Sequence, residues 1–443
     1  MMNYQESIHY LFSRLPMFSS QGKTAIKPGL INIVRFCELL DEPQKKFKSV
    51  HIGGTNGKGS TSHMLAAILQ TAGYKTGLYT SPHLRDFRER IRVNGEMITE
   101  EEVITFVDQQ KGNIEEIEPS FFETTVAMAF DHFVRHGVEI TVIEVGLGGR
   151  LDSTNIIWPE LSVITNIGLD HVNILGDTVQ QIAFEKAGII KSGVPVVIGE
   201  RQQMVEDIFN QKAAQSGSKI FFASDEWKAE AKKEEADTPD KIMSGTELLS
   251  VTVFAKSANS QKSPFSTYEL DLRGSYQLKN LPTVLSSVEQ LRKKGFMITD
   301  DHMREALRQV TKLTGLMGRW QTLGTSPLII CDTGHNEDGI REVVKNIAAT
   351  PFEHLHMVIG MVKDKDIDRV LQLLPKNATY YFCQPDIQRA KDAELLTVEA
   401  RAAGLTGTSF GSVKKALAAA KHQAGARDLI FVGGSTFVVA EIV

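Results

Sequence analysis

Residues 48–61 read Lys-Ser-Val-His-Ile-Gly-Gly-Thr-Asn-Gly-Lys-Gly-Ser-Thr, and no other run limits the fold as much. An apolar strand from Val50 to Ile52 feeds a Gly-rich turn carrying Lys58, and a helix-compatible stretch follows from Ser62 to Gln70. This is the frame of a phosphate-binding loop. Glycines let backbone N–H groups converge on an anion, the helix N-terminus adds the positive end of its dipole, and Lys58 supplies a cation. The run departs from G-x-x-x-x-G-K-[ST] twice: Ile52 stands at the first glycine, and Gly59 follows the lysine. Gly59 removes the hydroxyl that usually reaches Mg²⁺, so the loop reads as a nucleoside triphosphate site whose metal ligands lie elsewhere.

Around this run, short apolar segments alternate with helical ones. Strands are expected at 48–53, 76–80, 140–145, 161–166 and 194–199, with helices near 60–72, 99–110, 122–136 and 178–191. Strands that are apolar throughout are those covered on both faces, so the pattern predicts a doubly wound parallel sheet. Between 225 and 275 the texture changes. A charged run from Glu226 to Lys241 reads as a solvated surface excursion, and alternating segments at 248–254 and 266–272 read as a small antiparallel sheet. A second alternation follows, with strands at 327–332, 355–360, 378–383 and 428–433 and helices near 336–348, 365–374, 392–403 and 412–424. The fold class is therefore α/β: a P-loop-type N-terminal domain over 1–309, a linker at 310–317, and a Rossmann-like domain over 318–443.

Composition narrows the partners. At 443 residues the chain has room for two or three domains. A net charge of −5 argues against non-specific nucleic-acid binding. Cys37, Cys331 and Cys383 have no paired spacing and are expected reduced. No apolar run approaches the roughly 20 residues of a membrane span, and the first residues do not resemble a signal peptide. A cytoplasmic protein that binds neither nucleic acid nor membrane is expected.

Several residues outside the loop sit where chemistry is done in α/β sheets, just past strand carboxyl ends. Glu144 follows Ile140–Ile143, and a carboxylate there is the usual second half of a nucleotide–Mg²⁺ site, though a strand-end ion pair would look the same. Ser81, before Pro82, could supply the hydroxyl that Gly59 lacks, or simply make a turn. His171 could bind a metal with Asp170 orienting it, or only pack. Lys186, among apolar residues, gains no role from its type alone. In the second domain Asp332 and His335 follow a strand, and Arg319 follows the linker. Cations there suit charge stabilisation in phosphoryl transfer.

Together the motifs carry a resemblance. They are Gly54-Thr-Asn-Gly-Lys-Gly-Ser60, Thr80-Ser-Pro-His-Leu84, Asp86 to Gly95, Glu144 to Asn155, Ile167 to His171 with Leu175-Gly-Asp-Thr178, Glu185 to Lys191, Gly318-Arg319 and Asp332-Thr-Gly-His-Asn336. In this order they span nearly the whole chain, which resembles the folylpolyglutamate synthases, including bifunctional dihydrofolate synthases, of the Mur ligase superfamily. The resemblance implies an ATP-dependent amide ligase. ATP would phosphorylate a carboxylate of a folate or of dihydropteroate, and the amine of L-glutamate would attack the acyl phosphate.

The residue roles that follow are also implied by the resemblance. Gly54, Thr55, Asn56, Gly57, Lys58, Gly59 and Ser60 hold the ATP phosphates. Ser81 and Glu144 bind a first Mg²⁺, His171 joins a second, and Lys186 is a lysine carbamylated by CO₂. Asn280 contacts the nucleotide, Arg319 reaches the phosphates, and Asp332 and His335 serve the nucleotide and acyl phosphate. Phe122 and Asp152 lie near a pterin site. A monomer is expected. The chain departs from the family in Thr333-Gly334 for Gly-Ala, in Tyr276 where histidine is common, and in Met317 where proline often precedes Gly-Arg. A Mur ligase for a peptidoglycan precursor would share the logic but usually has Thr or Ser at Gly59. A P-loop switch or kinase would have no need for Lys186, His171 and Arg319.

Overall fold

The short apolar runs are the interior strands of two separate sheets. The computed structural model describes residues 2–16, 29–232, 248–256, 264–363 and 367–443. The first sheet has eight strands in the order β4-β3-β2-β5-β1-β6-β7-β8. They are β1 (Lys48–Gly53), β2 (Thr76–Tyr79), β3 (Ile91–Val93), β4 (Glu96–Met97), β5 (Ile140–Glu144), β6 (Leu161–Ile164), β7 (Val196–Ile198) and β8 (Ile220–Phe222). From β2 to β8 all pairings are parallel. At one edge β3 and β4 pair antiparallel, so the sheet is mixed rather than wholly parallel.

Both faces are covered, which is why the central strands carry no polar alternation. One face is packed by the helices Glu100–Ile117 and Phe121–Arg135, through residues such as Phe106, Val107, Phe130 and Phe133. The same face is continued towards β8 by Val179–Ala187 and Glu206–Gln215, through Ile182, Ala183 and Phe209, while the helix Lys58–Thr71 covers the opposite face. Each buried valine, isoleucine or phenylalanine among them contributes about 1.5–3 kcal/mol relative to exposure. The helix Lys58–Thr71 is buried continuously from Gly59 to Leu69, so it lacks an amphipathic stripe. It lies against β1, β2 and β5 and against the helices Asp300–Leu307 and Val310–Thr314.

A three-stranded sheet, ordered β11-β10-β9, is made by β9 (Trp227–Ala231), β10 (Leu249–Ala255) and β11 (Pro264–Leu270). Most of the expected charged excursion, at 233–247, lies outside the described residues. The third sheet has six strands, β12-β13-β17-β14-β15-β16. These are β12 (Gln321–Thr325), β13 (Leu328–Cys331), β14 (Leu355–Ile359), β15 (Thr379–Cys383), β16 (Gly407–Phe410) and β17 (Leu429–Gly433). Only β12 is antiparallel, and helices cover both faces.

The chain divides into two compact units. The first takes Met1–Glu230, Thr252–Tyr268 and Leu278–Gly315; the second takes Ala231–Val251, Glu269–Gln277 and Leu316–Val443. The segment expected as a linker is helical over Val310–Thr314. Cys37, Cys331 and Cys383 are buried free thiols. Among the described residues no helix is long and apolar enough to cross a membrane.

Candidate active site

In the first unit, β1 ends at Gly53 and the helix Lys58–Thr71 begins after Gly57, its N-cap. Gly57 is left-handed at φ 86°, and a Cβ there would stand 2.3 Å from Asn280 Oδ1. Both the dihedral and the close approach require glycine, and Asn280 is thereby placed directly against the loop. No side chain caps the helix, so its first N–H groups keep the anion-binding arrangement expected from the motif.

The loop is shaped from the end of β6. Thr55 N–H donates to the Asn166 carbonyl (2.9 Å) and Asn56 N–H to Asn166 Oδ1 (2.9 Å). Thr165 Oγ1 donates to the Asn56 carbonyl (2.6 Å), and Gly168 N–H donates to Thr55 Oγ1 (3.0 Å). Gln202 clamps Ile167 through its N–H (2.9 Å) and its carbonyl (2.8 Å). Sequence reasoning missed Thr165, Asn166 and Gln202. The available signal was that Thr165 and Asn166 follow an apolar strand, as Glu144 does.

Two lysines meet at one carbonyl. Lys58 Nζ donates to Gly54 O (3.1 Å) and Thr55 O (3.2 Å), while Lys186 Nζ donates to Gly54 O at 2.7 Å. Lys186 projects from the helix Val179–Ala187, whose start is fixed by the Thr178–Gln181 capping box. It is 4% exposed. Burial, and next the charge of Lys58, push its pKa from 10.5 down to about 7. Lys186 is therefore buried against the loop, and its ammonium gives up its proton far more readily than an ordinary lysine.

Ser81 and Glu144 come together because β2 and β5 are adjacent, with Tyr79 opposite Ile143. Ser81 N–H donates to Glu144 Oε2 at 3.2 Å, and Glu144 is buried. The pair offers hydroxyl and carboxylate oxygens, the donor set a hard divalent cation takes. His171 stands on the loop after β6 in a left-handed conformation, φ 51°. Its N–H donates to Asp170 Oδ1 (2.8 Å), and its Nε2 lies 3.9 Å from the same oxygen.

Phe122 and Asp152 both shape the loop after Glu144. A Cβ on Gly146 would come within 2.4 Å of the Phe122 ring, so that ring lies flush on the backbone. Phe122 also neighbours Tyr79, with ring centroids 6.1 Å apart. Asp152 is buried, and burial raises its pKa above the usual carboxylate value. Its Oδ2 accepts Leu147 N–H (2.8 Å) and its Oδ1 accepts Thr154 N–H (3.0 Å). Thr154 Oγ1 lies 2.8 Å from Nε2 of His51, an imidazole that burial pushes down to about 3.

The second unit carries its own cluster past β13. Asp332 accepts Tyr276 Oη–H (2.6 Å), Trp320 N–H (2.8 Å) and Gly334 N–H (2.8 Å). Burial raises its pKa, against the pull of these donors and of Arg319. Arg319 donates to the Gly318 carbonyl (3.2 Å) and to Thr333 Oγ1. His335 Nδ1 lies 2.9 Å from the Thr333 carbonyl, which can only accept, so Nδ1 carries a proton there. Asn336 caps the helix Glu337–Ala349 through Gly339 N–H (2.8 Å). Each cluster thus sits where strand ends meet helix starts in its own sheet.

The chain matches the Mur ligase middle domain over residues 52–288 and the Mur ligase glutamate ligase domain over 318–436. It is 30% identical to the dihydrofolate synthase/folylpolyglutamate synthase of Bacillus subtilis, covering 99% of this chain and 98% of that one. It is 33% identical to a probable bifunctional folylpolyglutamate synthase/dihydropteroate synthase of Haloferax volcanii, covering 99% of this chain and spanning only 50% of that relative. Its fold is similar to Escherichia coli FolC in complex with DHPP and ADP, with a TM-score of 0.81, 29% identity and coverage of 100% and 97% of the two chains. It is also similar to a bifunctional folylpolyglutamate synthase/dihydrofolate synthase with Mn, AMPPNP and L-glutamate bound, with a TM-score of 0.82, 27% identity and coverage of 100% and 97%. With the phosphate loop, its lysines and both sheets in agreement, the chain belongs to the Mur ligase family, in the branch of the dihydrofolate synthase/folylpolyglutamate synthases.

Proposed function

We propose that this chain joins L-glutamate to a folate at the expense of ATP, through an acyl phosphate, and that it accepts dihydropteroate as well. The observation that carries this reading is the meeting of Lys58 and Lys186 at the Gly54 carbonyl, at the sheet end that also holds the Ser81–Glu144 pair. A nucleotide switch needs the loop and the carboxylate but has no use for a second, buried lysine. The neighbours that hold ADP with DHPP, or AMPPNP with Mn and L-glutamate, support the same substrates here.

In this reading the loop Gly54–Ser60 binds the triphosphate through backbone N–H groups, and Asn280 fixes the nucleotide above Gly57. Ser81 and Glu144 hold one Mg²⁺, and His171 takes part in a second site. The cations, when bound, neutralise the phosphates and the incoming carboxylate so that two anions can meet. Lys186 is assigned as the lysine that CO₂ carbamylates. Only a neutral amine attacks CO₂, and a pKa near 7 supplies one at physiological pH. The product is an anionic oxygen ligand in place of a cation.

Arg319 is assigned to charge stabilisation on the transferring phosphoryl group. Asp332, anchored by three donors, fixes the backbone of the Thr333–Asn336 turn, and His335 Nε2 serves the acyl phosphate. Phe122 provides an apolar ring for a flat pterin, and Asp152 holds the loop beneath it. The chain is proposed to act as a monomer.

The deciding experiment compares dihydropteroate and tetrahydrofolate as acceptors with ATP, Mg²⁺ and L-glutamate, following ADP release and the ligated product. Turnover with both is expected. Activity with only one would restrict the chain to that single ligation. ADP release with a nucleotide-linked peptidoglycan precursor and with neither pteridine would overturn the reading.

A further inference from the structure

On the far side of the first unit from the phosphate loop, two helices bring two imidazoles and a carboxylate together. His132 and His136 are one helical turn apart, since His136 N–H still donates to the His132 carbonyl (3.0 Å) as the helix Phe121–Arg135 ends. Their rings are 4.2 Å apart between centroids and so share one helix face. Glu102 approaches from the helix Glu100–Ile117. Its Oε1 lies 2.6 Å from His136 Nε2 and 3.5 Å from His132 Nδ1. The three ligand atoms lie within 4.8 Å of one another.

The carboxylate is aimed by the fold. Glu102 closes the capping box of its helix: its Oε2 accepts Thr99 N–H (2.9 Å), while Thr99 Oγ1 accepts Glu102 N–H (3.2 Å). One oxygen is therefore committed to the backbone and the other is presented to the histidines. His132 is nearly buried, with its side chain 6% exposed, whereas His136 and Glu102 remain 37% and 35% exposed, which gives an ion a way in.

We propose that Glu102, His132 and His136 form a binding site for a borderline divalent cation of the zinc class, separate from the catalytic Mg²⁺. Two imidazole nitrogens and one carboxylate oxygen, with a fourth position left to water, make a donor set that favours Zn²⁺ over Mg²⁺. The 2.6 Å contact between His136 and Glu102 is a hydrogen bond, tighter than the roughly 3.3 Å between neighbouring ligand atoms of a tetrahedral Zn²⁺ with bonds near 2.0 Å. Binding therefore spreads the pair by a fraction of an ångström and replaces the hydrogen bond at His136 Nε2 by a bond to the ion. His132 follows Phe122 by about 15 Å along the helix axis. The ion fastens one helix to the other at a distance from the reaction and takes no part in it.

The test is a Zn²⁺ titration of the full chain against a competing chromophoric chelator, with Mg²⁺ and ADP in excess to occupy the catalytic site. The wild type is expected to retain one equivalent of Zn²⁺. His136→Ala and Glu102→Gln are expected to weaken it roughly tenfold or more, with Mg²⁺-dependent ADP binding unchanged. Glu102→Gln keeps an oxygen to cap Thr99, so its fold is preserved if that of His136→Ala is not. Co²⁺ in place of Zn²⁺ should give the wild type a visible absorption band of tetrahedral type that both variants lack. Equal Zn²⁺ retention by the wild type and Glu102→Gln, or none by the wild type, would overturn the proposal.

Discussion

Lys186 donates to the Gly54 carbonyl at 2.7 Å from a position that is almost completely buried. A buried ammonium is costly, and its depressed pKa states the cost directly. The folded-state value of about 7 lies below the ordinary 10.5, so the unfolded chain binds this proton more tightly. Stability attached to the neutral amine is complete above about pH 10.5, declines as pH falls to about 7, and is level below that. Replacing the amine by an apolar chain of similar length removes the penalty. Lys186→Met should therefore raise Tm by a few degrees at pH 7 in nucleotide-free, CO₂-depleted buffer. The gain should shrink as pH rises towards 10. The same site should lose most of its turnover in Lys186→Ala, and added acetate should restore part of it. Thermal melts across pH, together with acetate rescue, check both halves. A Met variant less stable at every pH would show that the hydrogen bond outweighs the burial.

The contact of Gly57 with Asn280 gives a second prediction. Alanine at Gly57 meets two obstacles, a φ of 86° and the Asn280 amide 2.3 Å from the new Cβ. The loop should shift, at about 1–2 kcal/mol, and ADP affinity should drop about tenfold without loss of the fold. Removing the amide in Gly57→Ala/Asn280→Ala relieves the contact but leaves the dihedral strain and takes away the nucleotide contact assigned to Asn280, so only part of the affinity should return. Calorimetric ADP titrations measure all three proteins. Full recovery in the double variant would assign the whole effect to the side-chain contact.

Much of this was legible in the sequence because parallel strands buried on both faces leave a period-free apolar signature, as in Ile140–Ile143 and Leu429–Val432. Strands at or next to a sheet edge can leave a weaker one. β3 carries Arg92 at its centre, β4 has two residues, and β16 reads Gly-Thr-Ser-Phe, so turn chemistry outweighs strand propensity in each. The phosphate loop announced itself through glycines and a lysine. Its supports did not, since Thr165, Asn166 and Gln202 act by hydrogen bonds across a sheet, and such pairings depend on strand order. Lys186 shows the same limit. Its residue type assigned nothing, and the role proposed for it rests on resemblance and on burial beside Lys58.

The Tyr276–Asp332 bond separates a tolerated departure from a damaging one. Tyr276 stands where the family often has histidine, and its hydroxyl donates to Asp332 Oδ2 at 2.6 Å. Either residue can offer a donor, and phenylalanine cannot. Tyr276→Phe leaves a buried carboxylate short of one partner and should cost about 1–3 kcal/mol. Tyr276→His should retain most of that stability. Urea unfolding of the full chain carrying Trp158→Phe and Trp227→Phe, followed by the fluorescence of Trp320, reads the second unit specifically, because the backbone N–H of Trp320 donates to the same carboxylate oxygen. Equal destabilisation by both substitutions would mean that ring packing, not the hydroxyl, fixes Asp332.

Phe122 tests the acceptor assignment. Its ring lies on Gly146 two residues past Glu144, so truncation to alanine opens a space on the reacting side of the loop without touching the phosphate loop. Phe122→Ala should raise KM for dihydropteroate about tenfold or more, leave ADP affinity unchanged, and be largely rescued by Phe122→Tyr. Asp152→Asn should behave differently. Its amide has a single acceptor oxygen for the two N–H groups of Leu147 and Thr154, so one of them meets another donor. The loop then loses its shape, and kcat should fall for every acceptor instead of KM rising for one. Steady-state kinetics with dihydropteroate and tetrahydrofolate separate the two patterns. An unchanged KM for dihydropteroate in Phe122→Ala would remove Phe122 from the pterin site and leave it as a packing residue over Gly146.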